Sequence, residues 1–156
     1  MGIVHYPGEI KNFKMKAAEG LDREGLILKV DNSTASDPRM TKVASSGDGI
    51  FGIGAKDTDD QEGTNATGGM VGVLQEGEVK VAVEADTYRV GYIISLATTN
   101  GMGEYYVKDT SFSNTVVGIC QEYRVVSSDD VTNKVNQIRV KLQCDTGLED
   151  SELGAK

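Results

Sequence analysis

The chain predicts a mainly β protein: a compact barrel-like or sandwich domain with little helix. Three observations carry this expectation. Val79, Val81 and Val83 alternate with Lys80, Ala82 and Glu84, the period of a pleated strand with one wet face. Nineteen of the 156 residues are glycine and two are proline, against ~7% glycine in an average chain, so glycine does most of the turning. No longer run holds a helical period; the nearest approaches are short stretches near residues 17–24 and 85–93.

One phrase occurs twice. Gly49–Asp57 reads GIFGIGAKD and Thr115–Tyr123 reads TVVGICQEY, each built round a Gly-Ile pair, Gly52-Ile53 and Gly118-Ile119. Each follows a polar segment, Lys42–Asp48 or Lys108–Asn114. Each leads through a polar loop to a strand-like run, Met70–Leu74 or Ile138–Leu142. This predicts a β architecture with weak internal symmetry, in which the two Gly-Ile segments hold equivalent strand positions. Val117 and Ile119 are expected on one face, with Gly118 against a close neighbour.

Along the chain, residues 1–12 have no sustained period and are broken at Pro7-Gly8, so they read as an arm. Asn12–Lys16 alternates Phe13 and Met15 with lysines and suits a first strand. Leu26–Val30 is a second, ended by Asp31-Asn32-Ser33. Met40–Ala44 opens the first repeat, and 57–69, rich in Asp, Gly and Thr, reads as a surface loop. Glu76-Gly77 between Met70–Gln75 and Glu78–Glu84 is a hairpin signal. Tyr88–Thr98 reads as a strand interrupted at Gly91, and Asn100–Gly103 as a turn into Glu104–Lys108. Val125–Asn136 reads as a second polar loop, before a last strand with Ile138, Val140, Leu142 and Cys144 on one face. The division expected is an arm at 1–12, one β-rich domain at 13–144 and an acidic tail at 145–156.

A formal charge of −8 argues against a nucleic-acid binder, which needs a basic face. The apolar runs are too short to span a bilayer, and MGIVHYPGEI lacks the basic start and long apolar stretch of a signal peptide. Cys120 and Cys144 have neither CxxC nor metal spacing; buried free thiols are the reading preferred over a disulfide. Gly47, Gly49 and Gly52 match GxGxxG, but a β-branched segment follows where the dinucleotide motif needs a helix. Asp57, Asp59, Asp60 and Glu62 fail the EF-hand order at Gln61 and Glu62. His5 is the single histidine, so a zinc centre or a His-paired nucleophile lacks its usual members. Ser45-Ser46 and Ser127-Ser128 have no base beside them, and Asn32-Ser33-Thr34 and Asn65-Ala66-Thr67 are sequons of a kind that arises by chance. Neither an enzyme nor a cofactor is expected.

Val71-Gly72-Val73-Leu74-Gln75 with Glu76-Gly77, then Val79–Val83, Val90–Ile94, Val116–Ile119 and the final strand Ile138–Leu142, together resemble the head decoration (cement) proteins of tailed bacteriophages, the lambda head decoration family. The likeness covers about residues 40–143; the arm and residues 17–39 match loosely, and the loops 57–69 and 124–136 are longer than in the compact members. The resemblance implies a β-tulip-like domain that forms a homotrimer on the outer capsid surface of the virion, made in the host cytoplasm. There it bridges major capsid protein subunits, with no nucleic acid or membrane partner. Ile3, Val4, His5, Tyr6, Ile10 and Phe13 are the expected capsid-binding residues of the arm, and Gly52, Gly72, Gly77, Gly91 and Gly118 the structural glycines. Two alternatives remain open: another virion or tail β-barrel adaptor, and a carbohydrate-binding β-sandwich, for which Tyr105-Tyr106 is the one exposed-looking aromatic pair.

Overall fold

The computed structural model describes residues 10–16, 19–33, 36–45, 47–55, 69–97, 101–105 and 115–143. They form twelve strands: β1 Lys11–Lys14, β2 Ile27–Asp31, β3 Arg39–Lys42, β4 Gly52–Ala55, β5 Met70–Leu74, β6 Glu78–Ala82, β7 Asp86–Tyr88, β8 Ile93–Leu96, β9 Gly103–Tyr105, β10 Val116–Cys120, β11 Arg124–Val126 and β12 Gln137–Leu142. One short helix, α1 Ser128–Thr132, precedes β12. Two sheets have five strands, ordered β1-β5-β4-β2-β3 and β6-β12-β10-β8-β9, and β11 pairs with β7 in a third.

The two large sheets have the same order once β1, β2, β3, β4 and β5 are matched with β6, β8, β9, β10 and β12. The repeat is therefore structural: Gly52-Ile53 lies in β4 and Gly118-Ile119 in its counterpart β10. Each sheet curls until its edges touch at one parallel bridge, Met15 to Met40 in the first and Val83 to Gly103 in the second. The residue after each bridge repeats the same bond, Lys16 N–H to the Met40 carbonyl at 2.8 Å and Glu84 N–H to the Gly103 carbonyl at 2.9 Å. A single bridge is not a ladder, so neither sheet closes. The barrel expectation is corrected on this point: the molecule is two curled, open sheets and a ribbon.

Apolar burial follows the pairing. The larger core cluster joins the sheets, with Ile27, Ile53 and Leu74 from the first and Val81, Ile94, Val117, Cys120, Ile138 and Val140 among those from the second. A smaller cluster lies on the other face of the first sheet and holds Met15, Leu28, Met40, Val71 and Val73. Ala82, read from the sequence as a wet-face residue, is fully buried in this second cluster, because the first unit covers that side of β6.

Several other expectations change. Glu76-Gly77 makes a turn, with Gly77 at φ 92°, but no hairpin: β5 lies between β1 and β4, and β6 beside β12. Turn chemistry reports a reversal, not which strands pair after it. Among the described residues the helix lies inside the expected loop 125–136, and not at 19–24 or 85–93. Ser127 caps it by accepting from Asp130 N–H, and the Asp130 carboxylate accepts from Ser127 N–H in return, the reciprocal pattern of a capping box. Val117 and Ile119 do not share a buried face. A register shift between Val116 and Gly118 offsets the alternation, leaving Val117 and Cys120 buried and Ile119 half-buried.

Candidate interaction surface

The expected contact residues divide by position. Ile3, Val4, His5 and Tyr6 lie outside the described residues, as do Cys144, all but Gly69 of the expected loop 57–69, and the expected tail 145–156. Ile10 is exposed, and its Cγ2 lies 2.8 Å from where a Gly72 Cβ would stand. Phe13 meets Phe51 edge-on, with ring centroids 5.1 Å apart, and so is tied to its own domain. Gly52 and Gly118 sit in close strand contacts, where added Cβ atoms would meet the Leu74 carbonyl at 2.8 Å and the Lys141 carbonyl respectively. Gly91 is a turn residue with φ +91° and open space beside it.

Among the described residues no group of histidine, cysteine and carboxylate side chains could hold a metal ion. The Cys120 thiol is buried, donates to the Glu122 carbonyl at 3.0 Å, and has its pKa raised chiefly by burial; such a thiol is a poor nucleophile. The Tyr88 hydroxyl donates to the Glu84 carbonyl at 2.7 Å. Burial foremost, then the carboxylates of Asp86, Glu84 and Glu104, keep that phenol protonated far above its ordinary range. Tyr105 stacks on Tyr92 with centroids 4.2 Å apart, so the ring face between them is occupied, and Tyr106 lies outside the described residues. Gly47 and Gly49 lead into β4 rather than a helix, which removes the nucleotide reading of GxGxxG.

Between the sheets lies a cleft of about 140 Å³ floored by Gly54, Leu74 and Val79. Its rim charges are matched: Arg139 with Glu78 at 2.9 Å and Lys80 with Glu24 at 3.9 Å. At the seam Arg23 donates to Asn136 Oδ1 at 3.0 Å, while Asn136 Nδ2 donates to the Val83 carbonyl at 2.7 Å. Lys80–Glu24 and Arg23–Asn136 cross between the two units, while Arg139–Glu78 and Asn136–Val83 lie within the second.

The Asp48 carboxylate fixes the loop before β4. It accepts from Ala44 and Ser45 N–H at 3.0 Å each and pairs with Lys29 at 3.0 Å. The Ala44 bond foremost, then Lys29 and Ser45, hold its pKa below the ordinary aspartate value against an opposing effect of burial. A depressed folded-state pKa stabilises above the unfolded value and is lost as pH falls through the folded one. Urea titrations should therefore show Asp48→Asn less stable than wild type at pH 7, with the gap closing below about pH 4. A gap that persisted unchanged at pH 2 would refute this role of the charge.

Among the described residues, apolar side chains reach solvent mainly on the second unit. Val90 is 68% exposed and Tyr123 60%, and the Arg89 guanidinium lies 5.3 Å from the Tyr123 ring centroid. Ile93, also exposed, pairs across strands with half-buried Ile119. Tyr and Arg beside aliphatic side chains is the composition of contact sites between proteins. This patch lies apart from the arm where contacts are expected, and the break at Gly91 is its trace in the sequence.

Fold and surface define a class: a tandem of two β units, with apolar side chains exposed at a turn and no metal-binding group among the described residues. The sequence matches no protein-family model and no curated protein. In three dimensions the chain is similar to the crystal structure of the head fiber gp8.5 N base in bacteriophage phi29. That likeness has a TM-score of 0.58 and 12% identity, and covers 90% of this chain and 99% of the other. At such identity the likeness is one of fold.

Proposed function

We propose that this chain is a non-catalytic structural protein of a bacteriophage virion, a base that attaches to the outside of the head. The observation that supports it is the fold shared over almost the full length of both chains with a phage head-fiber base. Because nearly all of each chain superposes, the likeness takes in both β units. It favours a virion attachment module over a lambda-type cement protein, so the adaptor reading now stands ahead of shell decoration. The expected partners are the major capsid protein and further copies of this chain, as a homotrimer, with no nucleic acid or membrane. Multivalent attachment suits such a base, since several weak feet linked together bind as one.

The arm remains part of this reading. Ile3, Val4, His5 and Tyr6 supply apolar surface that can lie along a capsid strand, while Ile10 and Phe13 join the arm to the domain. The experiment is co-sedimentation with phage heads lacking the protein, using the full chain and a deletion of residues 2–9. The full chain should pellet with heads, and the deletion should melt at the same temperature yet bind at least ~10-fold more weakly, a loss of about 1.4 kcal/mol. Undiminished binding by the deletion would move the foot to the β-domain surface; no binding by the full chain would overturn the virion role.

A further inference from the structure

The duplication extends to the turn that leads into β2 and β8. Arg23-Glu24-Gly25-Leu26-Ile27 and Arg89-Val90-Gly91-Tyr92-Ile93 occupy the same place in the two units. Gly25 and Gly91 have φ values of 93° and 91°. Gly25 N–H donates to the Gly54 carbonyl at 2.9 Å and Gly54 N–H to the Leu26 carbonyl at 2.8 Å. The second unit repeats both bonds, Gly91 to Cys120 at 2.9 Å and Cys120 to Tyr92 at 2.8 Å.

The surroundings of the two turns differ. The Gly25 turn is covered by the second unit: its carbonyl accepts the Ala82 N–H at 2.9 Å, and a Cβ there would stand 2.8 Å from the Ala82 nitrogen. Ile27 and its cross-strand neighbour Ile53 are buried, at 0% and 1% exposure. A Cβ at Gly91 would meet nothing within 4 Å, and the matching pair, Ile93 and Ile119, is not buried. The second unit thus presents, uncovered, the turn and isoleucine pair that the first unit has covered.

The receiving half is also present, and none of the described residues covers it. The register that matches Val79 with Lys11 and Val81 with Phe13 matches Ala82 with Lys14. Ala82 is fully buried beneath the Gly25 turn, whereas Lys14 is exposed. Met15 N–H donates to the Gly69 carbonyl across the ladder, so the Lys14 N–H, one residue back, points away from β5. The lysines of β1, Lys11 and Lys14, discourage indiscriminate edge pairing.

The geometry points to a head-to-tail interface between copies of this chain, in which the Arg89–Ile93 turn of one copy docks on the β1 edge of the next and repeats the intramolecular seam. The Gly91 carbonyl accepts the Lys14 N–H of the neighbour, as the Gly25 carbonyl accepts that of Ala82. Val90, Ile93 and Ile119 become buried in the contact. Such an interface is heterologous: it makes a ring where the rotation closes and a filament where it does not. It stands on the chain's own duplication and does not need the virion role.

Two variants each disable one half. Val90→Lys places a cation against the lysines of β1. Lys14→Pro removes the outward N–H, at an edge position where proline costs no ladder bond; Val90→Lys carries the test alone if the proline variant melts early. Sedimentation velocity of the purified full-length chain over a dilution series should show concentration-dependent oligomers. Each variant should be monomeric, its association at least roughly 10-fold weaker. An equimolar mixture should form a one-to-one dimer, because each partner keeps the half that the other lacks. A monomeric wild type, oligomers indifferent to both changes, or a mixture that stays monomeric overturns the interface. Binding of the monomeric variants to phage heads, measured separately, reports on the virion reading.

Discussion

Asn136→Ala is expected to cost about 3 kcal/mol of stability, the largest effect among polar substitutions at the described residues. Asn136 is fully buried and links parts distant in sequence. Its Nδ2 donates to the Val83 carbonyl at 2.7 Å and meets Met102 Sδ at 3.3 Å, while its Oδ1 accepts from Arg23 at 3.0 Å. Alanine removes a bond to a cation and strips the Val83 carbonyl of a donor, and a buried polar group left unpaired costs about 1–3 kcal/mol. For a chain of this size that lowers the melting temperature by about 6–12 °C. Asn136→Asp separates the two roles: it keeps an acceptor for Arg23 but sets a carboxylate oxygen against the Val83 carbonyl, so it should not restore stability. Calorimetry of the three proteins decides, and an Asp variant as stable as wild type would show that the Arg23 bond alone matters.

Gly118→Ala should destabilise by about 2–3 kcal/mol. β10 is flanked by β12 and β8, and the added Cβ would collide with the Lys141 carbonyl and stand 2.7 Å from Val140 Cγ1. Backbone in the middle of a sheet has little room to move, so the strain falls on the ladder between β10 and β12. At Gly54 the first atom met is Leu21 Cδ1, the end of a side chain that can shift, and the cost of alanine should be smaller. Gly49→Ala, with nothing within 4 Å, should change stability by less than about 0.5 kcal/mol. Chemical denaturation of the three variants should rank them in that order. Equal losses at Gly118 and Gly49 would mean that the close contact is relieved by backbone movement.

Alternation and glycine placement were enough to locate most strands. Glu78–Ala82 and Ile138–Leu142 follow from apolar residues at a period of two, because a half-buried strand imposes that period on its own side chains, and Met70–Leu74 from a short apolar run. The repeated Gly-Ile phrase pointed to the equivalence of β4 and β10, since glycine is required where backbones approach closely and that need is written at one position. The short helix was also legible, from Ser127 and Asp130 at capping-box spacing, but the polarity of the segment hid it.

Pairing and cover were decided only in three dimensions. Glu76-Gly77 looks like a hairpin locally, yet β5 and β6 belong to different sheets, because hydrogen-bond partners are allotted by the whole topology. The burial of Ala82 and the exposure of Ile93 could not be read from residue type: an alanine on a polar face is hidden by a turn some sixty residues earlier, while an isoleucine lacks the cover its counterpart Ile27 has. Gly118 marks the irregularity between Val116 and Gly118, but a glycine does not say which of its neighbours then enters the core. Periodicity is a property of one strand, so the sequence by itself determined the strands and their repeat; cover is a property of what lies opposite, and that was settled by the tertiary structure.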